Sequence, residues 1–266
     1  MSDDSLNQLI KTLRIFLGGH RGDLIIETAK KILSINPQSY EGYFGLILGY
    51  MKTQQYELML ETCLRAISYW PHIAWFRYMH YIYYFSTGKD WYKAKLAIEE
   101  AIKLDPVNAR YYRHLGEVYL VNREHAKAVV YLRKAVELNP DSAEYRSRLA
   151  LGLLRLHKKE ESLKMARQAL KDDPADSYVL DTVGLILTLS GELDEAEELF
   201  KSALRDIPTY SYFQRHLDIV KREKQDRENR KKRGLRYTPL YLRHKGMKLH
   251  FDENKHYVTD TKINQF

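Results

Sequence analysis

The chain has 266 residues, with 43 lysines and arginines against 35 aspartates and glutamates, and a formal net charge of +8. Its one cysteine, Cys63, excludes an intrachain disulfide, so nothing requires an oxidising compartment, and we expect this thiol to be buried as a small apolar side chain. The first residues are acidic, and no apolar run reaches the roughly 18 residues of a membrane-spanning helix. We therefore expect a cytoplasmic protein without a signal peptide.

The excess positive charge lies at the end of the chain. Residues 1–220 hold 29 basic and 29 acidic side chains, whereas residues 221–236 alone hold nine basic and three acidic ones. The body of the protein is therefore neutral, and the high isoelectric point does not indicate that this body binds nucleic acid.

Prolines recur along the chain at intervals of 34 or 35 residues: Pro37, Pro71, Pro106, Pro140, Pro174 and Pro208. A fixed period of this size is typical of a solenoid, in which each unit packs only on its neighbours. Because proline cannot continue a helix interior, we expect each one at the start of a new helix.

The first three periods keep the apolar register of their second helices but lack a small residue in the first helix. They carry Leu13, Ile47 and Met79 at that position, and we still expect the same fold there. The third period, which ends at Pro106, is one residue longer, and we place the extra residue in the turn at 87–89.

The later periods are more regular. In the clearest one, Leu115-Gly116 and Tyr119 occupy a first helix, and Ala128, Leu132 and Ala135 follow in a second helix at amphipathic spacing. Small residues at these positions allow two helices to cross closely. Another period repeats the pattern with Val183-Gly184, then Ala196, Phe200 and Ala203.

This pattern over roughly residues 6–220 resembles the tetratricopeptide repeat. The resemblance implies an all-α fold, a right-handed superhelical solenoid of antiparallel helix pairs. We expect about six pairs in residues 1–220, a capping helix over 209–233, and a short basic arm over 234–266. The arm alternates apolar and polar residues, so it is either extended or a small β structure.

In this family the first helix of each pair lines a concave groove that binds a partner. Matching the periods to the family pattern assigns these groove residues: Phe44, Leu48, Phe76, His80, Arg113 and Glu117, with Tyr83 nearby. Eleven aromatic residues lie between Tyr69 and Tyr92. They either fill the core in place of the missing small residues or form a binding surface.

Chaperone-binding members of the family hold a carboxylate with lysine, asparagine and arginine from successive first helices. The matching positions here are Arg113 and Glu117, Arg148, then Tyr178 and Asp181. The two acidic residues would repel a carboxylate, so we expect no such clamp and no co-chaperone role.

The basic run lies at the end of the capping helix and comprises Lys221, Arg222, Arg227, Arg230, Lys231, Lys232, Arg233 and Arg236. It is either a solvated helix end or a footprint for an anionic partner such as RNA, an acidic protein or a membrane surface. The arm carries Tyr237, Tyr241, Phe251 and Tyr257. It could order on a partner, on its own solenoid, or in the groove of a second copy to form a homo-oligomer.

No catalytic, cofactor-binding or metal-binding motif appears in the sequence. We therefore expect a non-enzymatic interaction scaffold within a larger assembly, which binds a partner peptide or helix in its groove and makes a second contact through the arm. The alternative is a ribonucleoprotein-associated factor that binds RNA through residues 221–236.

Overall fold

The computed structural model describes residues 3–19, 21–208, 210–240, 249–251 and 257–259. These segments form thirteen α-helices and two short β-strands. They divide into two compact units, Met1–Val107 and Asn108–Phe266. The predicted repetition of helix pairs is confirmed. In the described segments, every helix is either too short or too polar to span a bilayer.

Unit 1 contains three helix pairs. In chain order its helices are α1 (Asp3–Leu17), α2 (Gly22–Ile35), α3 (Tyr40–Lys52), α4 (Tyr56–Tyr69), α5 (Ala74–Thr87) and α6 (Trp91–Leu104). As predicted, Cys63 is fully buried, and its thiol donates to the carbonyl oxygen of Phe76 at 3.0 Å. Burial raises the pKa of this thiol to about 12, which keeps it protonated at neutral pH.

Unit 2 contains three further pairs, a long terminal helix and a β-hairpin. Its helices are α7 (Ala109–Val121), α8 (His125–Leu138), α9 (Ala143–Arg155), α10 (Lys159–Asp172), α11 (Ser177–Ser190), α12 (Leu193–Asp206) and α13 (Ser211–Lys232). Two strands follow, β1 (Leu249–Phe251) and β2 (Tyr257–Thr259), which pair antiparallel. The alternating pattern of the arm thus forms β structure at two points.

Within the pairs of unit 2, small residues let the two helices approach. A Cβ atom on Gly116 would lie 2.6 Å from Leu132 Cγ, and one on Gly184 would overlap the Phe200 ring. In the middle pair, the hydroxyl of Ser162 donates to the carbonyl oxygen of Ala150 at 2.6 Å. The predicted role of these small residues is confirmed.

Unit 1 places its close approach elsewhere. A Cβ atom on Gly42 would lie 2.6 Å from Leu33 Cδ2, and one on Gly49 would lie 2.6 Å from Ile26 Cγ1. Both contacts join α3 to α2, so the tight crossing is between consecutive pairs rather than within a pair. Two of the larger residues predicted at the within-pair crossings, Leu13 and Ile47, are at most 1% exposed. The third prediction, Met79, was wrong by two residues, because the place that Ile47 holds in α3 and Gly116 holds in α7 belongs to Tyr81 in α5.

In five of the six pairs, the turn between the two helices contains one left-handed residue. Gln54, Gly88, Arg123, His157 and Gly191 all have positive φ and stand between a first and a second helix. Each of these residues is the fifteenth from the start of its first helix, and the second helix begins two residues later, except after Gly88, where α6 begins three residues later. The extra residue of the third period therefore lies between Gly88 and Trp91, in the predicted turn.

The prolines do not open the helices, and this prediction was wrong. The helix after Pro37 begins at Tyr40, and the helix after Pro140 begins at Ala143. Each of these prolines lies in the preceding turn, where a missing N–H costs no helical hydrogen bond. A serine occupies the N-cap position instead. In α9, for example, the hydroxyl of Ser142 accepts from the N–H of Tyr145 at 3.2 Å.

We predict that Gly184→Ala destabilises unit 2 by about 2 kcal/mol, because the added methyl group overpacks the α11–α12 crossing. Phe200→Leu should relieve the clash, so the double variant should lose less stability than the sum of the two single changes. Chemical denaturation followed by circular dichroism measures these differences. Strictly additive losses would show that the ring and the methyl group do not compete for the same space.

Candidate functional site

An aromatic surface lies on α3 and α5 of unit 1. Tyr40, Phe44 and Leu48 follow one another at four-residue intervals along α3, so they share one side of that helix. The Trp75 ring of α5 lies 4.4 Å from the Phe44 ring, centroid to centroid. Phe44, Leu48 and Trp75 are half-buried and Tyr40 is 36% exposed, so all four reach the surface. We call these four residues the aromatic face.

The aromatic face rests on buried rings. Phe76 is fully buried and lies 5.3 Å from Trp75 and 5.6 Å from Tyr40, both in edge-on geometry. Trp70, which caps the end of α4, stacks on Phe76 at 5.8 Å. Such ring pairs stabilise beyond the area that they bury, so they hold the exposed rings in fixed positions.

The predicted groove register of the third period is wrong by two residues. Phe44 and Leu48 are the fifth and ninth residues of α3, and Arg113 and Glu117 hold the same places in α7. In α5 those places belong to Tyr78 and Ile82, both buried, not to Phe76 and His80. A shift of two residues turns a side chain by about 200°, which explains why Phe76 lies in the core.

His80 and Tyr83 also lie away from the predicted groove row. The half-buried ring of His80 is 5.2 Å from the Tyr84 ring, and burial, followed by the charge of Arg77, lowers the pKa of His80. Tyr83 is buried, and its hydroxyl donates to Glu57 Oε2 at 3.0 Å. Lys89 closes this group with an ion pair to Glu57.

The aromatic-rich stretch from Tyr69 to Tyr92 combines both of the roles left open above. Five of its rings are buried and fill the core: Phe76, Tyr78, Tyr81, Tyr83 and Phe85. Four are half-buried and two, Tyr69 and Tyr92, are exposed. The core of unit 1 thus accounts for about half of these rings, and the remainder supplies surface.

In unit 2 the corresponding residues of the first helix, α7, are charged. Glu117 accepts from Arg113 Nη1 at 2.7 Å and pairs with Arg148 Nε at 3.3 Å. Arg148 also donates to the hydroxyl of Thr182 at 2.9 Å, which links α7, α9 and α11. His114 Nδ1 lies 3.1 Å from Glu117 Oε2. We call Arg113, His114, Glu117 and Arg148 the charged cluster.

The protonation of the charged cluster follows from its contacts. Arginine can only donate, so His114 Nε2 accepts from Arg113 at 2.7 Å and Nδ1 carries the proton that faces Glu117. Burial alone would raise the pKa of Glu117. The charge of Arg113, the His114 hydrogen bond and the charge of Arg148 outweigh it and lower the pKa below the usual range. Sequence reasoning missed His114, although its three-residue spacing from Glu117 is a recognisable signal.

The second acidic residue of the predicted row lies beside a histidine in the interior of unit 2. Asp181 of α11 is buried, and its Oδ1 lies 2.9 Å from Nδ1 of the buried His216 on α13. The two atoms are close but are not aligned for a hydrogen bond. The absence of a carboxylate clamp therefore stays a prediction. Glu117 and Asp181, the two acidic residues on which it rests, both lie against other side chains of unit 2.

The basic run lies on α13 and just beyond its end. Lys224, the ninth basic residue of segment 221–236, is bound to Asp194 at 2.6 Å and to Glu197 at 2.5 Å, and Arg230 of the run pairs with Asp226 at 2.9 Å. The other basic side chains of the run are exposed: Lys221, Arg222, Arg227, Lys231, Lys232, Arg233 and Arg236. Some basic side chains of this segment are therefore held in ion pairs within the protein, and the others are accessible to solvent.

The arm begins with residues packed on unit 2. Tyr237 donates to Glu223 Oε2 at 3.1 Å, and Arg227 lies over its ring at 5.9 Å. Of the other predicted arm residues, Phe251 and Tyr257 oppose each other in the β1–β2 register. Tyr241 lies outside the described residues.

The tetratricopeptide repeat family matches the chain over residues 83–143 and 147–211. No curated protein matches the chain significantly in sequence. Solved structures do match in fold, and all of those described below are less than 25% identical to this chain, so they bear on the fold alone.

Three similar structures illustrate the fold. TTC0263, a thermophilic tetratricopeptide repeat protein of Thermus thermophilus, is 21% identical, with a TM-score of 0.56 over 68% of this chain and 98% of its own. YrrB, a repeat protein with an unusual peptide-binding site, is 20% identical, with a TM-score of 0.52 over 71% and 97%. PilF of Pseudomonas aeruginosa is 17% identical, with a TM-score of 0.65 over 80% and 96%.

We predict that Glu117→Gln destabilises unit 2 by about 3 kcal/mol at pH 7, because it leaves buried arginine charge without its counter-ion. The folded-state pKa of Glu117 lies below the unfolded one, so its contribution is complete above the unfolded pKa of about 4.3. The difference between wild type and variant should therefore shrink as the pH falls further. Amide hydrogen exchange of α7 and α9 measures it.

Glu144→Gln is the matched control for this prediction. Glu144 lies 3.5 Å from the same Arg113 but is 36% exposed, so its loss should cost less than about 1 kcal/mol. Equal losses for the two variants, or a loss at Glu117 that does not change with pH, would contradict the assigned role of the charged cluster.

Proposed function

We propose that this chain, which matches the tetratricopeptide repeat family over residues 83–143 and 147–211, is a non-enzymatic interaction scaffold in a larger assembly. Its partner site is the aromatic face of unit 1, formed by Tyr40, Phe44, Leu48 and Trp75. The observation that carries this proposal is the set of large apolar side chains that reach the surface although the core beneath them is already filled by Phe76.

The aromatic face has the properties of a binding hot spot. Tryptophan and tyrosine are enriched among the residues that dominate interface energy. The contact of Phe44 with Trp75 at 4.4 Å and of Tyr40 with Phe76 at 5.6 Å fixes the rings before a partner arrives. A preorganised surface loses little conformational entropy on binding, which favours affinity.

The shape of the aromatic face indicates the kind of partner. The row from Tyr40 to Leu48 extends for about 12 Å along α3, or a little over two helical turns. An amphipathic helix or a short apolar peptide presents a matching row. Among the structurally similar proteins, YrrB is described as having a peptide-binding site. This likeness supports the partner class by analogy only.

The test compares two variants in which leucine becomes glutamate. Leu48→Glu places a charge in the aromatic face, whereas Leu64→Glu changes a 47% exposed leucine on α4 outside it. Affinity purification with quantitative mass spectrometry identifies proteins that the Leu48 variant loses and the Leu64 variant keeps. Their binding to the purified chain should then weaken by at least about tenfold with Leu48→Glu, or with Phe44→Ala, the size of effect expected at a hot spot.

Both variants must stay folded for this comparison, which circular dichroism and thermal unfolding establish. If every captured protein is retained by the Leu48 and Phe44 variants, the aromatic face is not the partner site. Loss with all variants alike would point to unfolding rather than to recognition.

A second candidate function is binding of an anionic polymer, RNA in particular, along α13. The observation that favours it is a basic stripe of four exposed side chains, Lys221, Arg222, Lys232 and Arg233. None of the four forms an ion pair within the described residues. The amide side chains of Gln225 and Asn229 lie between the two ends of the stripe and also suit phosphate oxygens.

The ends of the basic stripe are twelve residues apart, or about 18 Å along the helix. Because its side chains are polar, the stripe resembles a nucleic-acid surface more than the apolar centre of a protein interface. Four phosphate contacts on a single strand should give a salt slope of about −3 in a plot of log affinity against log salt concentration.

Neutralising the basic stripe with glutamine should abolish that slope in fluorescence anisotropy with a short single-stranded RNA. The matched control converts four exposed lysines elsewhere to glutamine, Lys30, Lys103, Lys164 and Lys171, with the same change in net charge. If the two quadruple variants bind RNA equally, the effect is one of net charge alone and the stripe is not a site. Binding to an acidic protein or to anionic vesicles without RNA binding would equally reject RNA as the ligand.

A further inference from the structure

The first residues of the arm are anchored at the end of α11. A Cβ atom on Gly191 would lie 3.3 Å from Pro239 Cγ and 3.3 Å from Tyr237 Cε1, so both rings lie directly over the turn that ends this helix. Leu240 is 4% exposed. The hydrogen bond from Tyr237 to Glu223 fixes the same segment to α13. We call Tyr237–Leu240 the docked turn.

A second part of the arm returns to unit 2 at its other end. Strand β1 lies beside α7, the first helix of the unit. It is paired with β2 in the register Leu249 to Thr259 and Phe251 to Tyr257. The arm therefore meets both α11 and α7, the last and the first of the three helices that carry the predicted groove row in this unit.

The groove row of unit 2 is buried on all three first helices, whereas that of unit 1 is buried at Ile82 of α5 and open at α3. The ninth residues of α7, α9 and α11 are Glu117, Leu151 and Leu185, and they are 2%, 0% and 4% exposed. The ninth residue of α3 in unit 1, Leu48, is only half-buried. An open groove would leave Leu151 and Leu185 in contact with water, which is unfavourable for apolar side chains.

We propose that the arm is an intramolecular ligand of unit 2, seated on the side of its first helices that a partner segment would otherwise use. The docked turn supplies an apolar anchor at α11, and the hairpin supplies a second contact at α7. The leucine at position 240 is the central anchor, because it is the most deeply buried residue of the docked turn. The proposal concerns unit 2 alone, so it is independent of the partner proposed for the aromatic face.

Tethering makes such an internal ligand effective even when its own affinity is weak. A short flexible connection gives an effective concentration of the order of millimolar, so a partner for the same surface must compete with the arm. Release of the arm would then open unit 2 to a second partner segment. An assembly could thereby engage the two units in sequence rather than at once.

The test uses three full-length chains: wild type, Leu240→Asp and Leu235→Asp. The Leu240 variant places a charge in the buried contact. The Leu235 variant makes the same chemical change at a side chain that is 54% exposed, five residues earlier. The probe is a fluorescent peptide with the sequence of residues 234–266, titrated by anisotropy.

The peptide should bind the Leu240 variant at least about tenfold more tightly than wild type or the Leu235 variant, because only the first has lost its internal competitor. Hydrogen exchange should show faster exchange in α7 and α11 of the Leu240 variant and recovery when the peptide is added. A chain that ends at Leu235 provides the same readouts if Leu240→Asp fails to fold.

Equal binding of the peptide to all three chains, or unchanged exchange in α7 and α11 of the truncated chain, would overturn the proposal. Light scattering gives a further check, because wild type should be a monomer. A dimer that dissociates when the arm is removed would show that the arm docks on a second copy instead, and would reject the intramolecular contact.

Discussion

Two helices of a pair can cross closely only where one of them lacks a bulky side chain, and this steric constraint organises the helix pairs of unit 2. Gly184 leaves the space that the Phe200 ring occupies, and Gly116 does the same for Leu132. Once one side of a first helix is committed to its partner in this way, the direction of every other side chain on that helix is fixed. The surfaces open to binding are therefore set by the crossing, not chosen separately.

Unit 1 solves the same steric problem differently, and this has a consequence for its surface. Its glycines, Gly42 and Gly49, fit α3 against the preceding helix α2. Large residues fill the crossings within its pairs, and ring-on-ring packing around Phe76 replaces the small-residue contact. Because rings are wide, those that fill the core bring others to the surface beside them. The aromatic face thus follows from the way in which this unit is packed.

Three features could be predicted from the sequence: the helix pairs, the small-residue crossings of unit 2, and the extra residue in the turn that contains Gly88. All three follow from local spacing. The groove register of α5 was not predicted correctly. Counting from Met79 rather than from the start of the helix moved Phe76 to the surface, and only packing shows that it is buried. Only part of the charged cluster could be predicted. Arg113 and Glu117 share a helix, whereas Arg148 joins them only through the fold.

The two units present opposite chemistry at equivalent positions, and this difference bears on how each can bind. The fifth and ninth residues are Phe44 and Leu48 in α3, but Arg113 and Glu117 in α7. Apolar rings bind favourably to any matching apolar surface. A buried ion pair adds little net stability, and it mainly disfavours a partner whose charges do not match. An exposed site suits the first kind of surface. The second kind needs a cover that keeps water and unmatched charge away, and this is the role that we propose for the covalently attached arm.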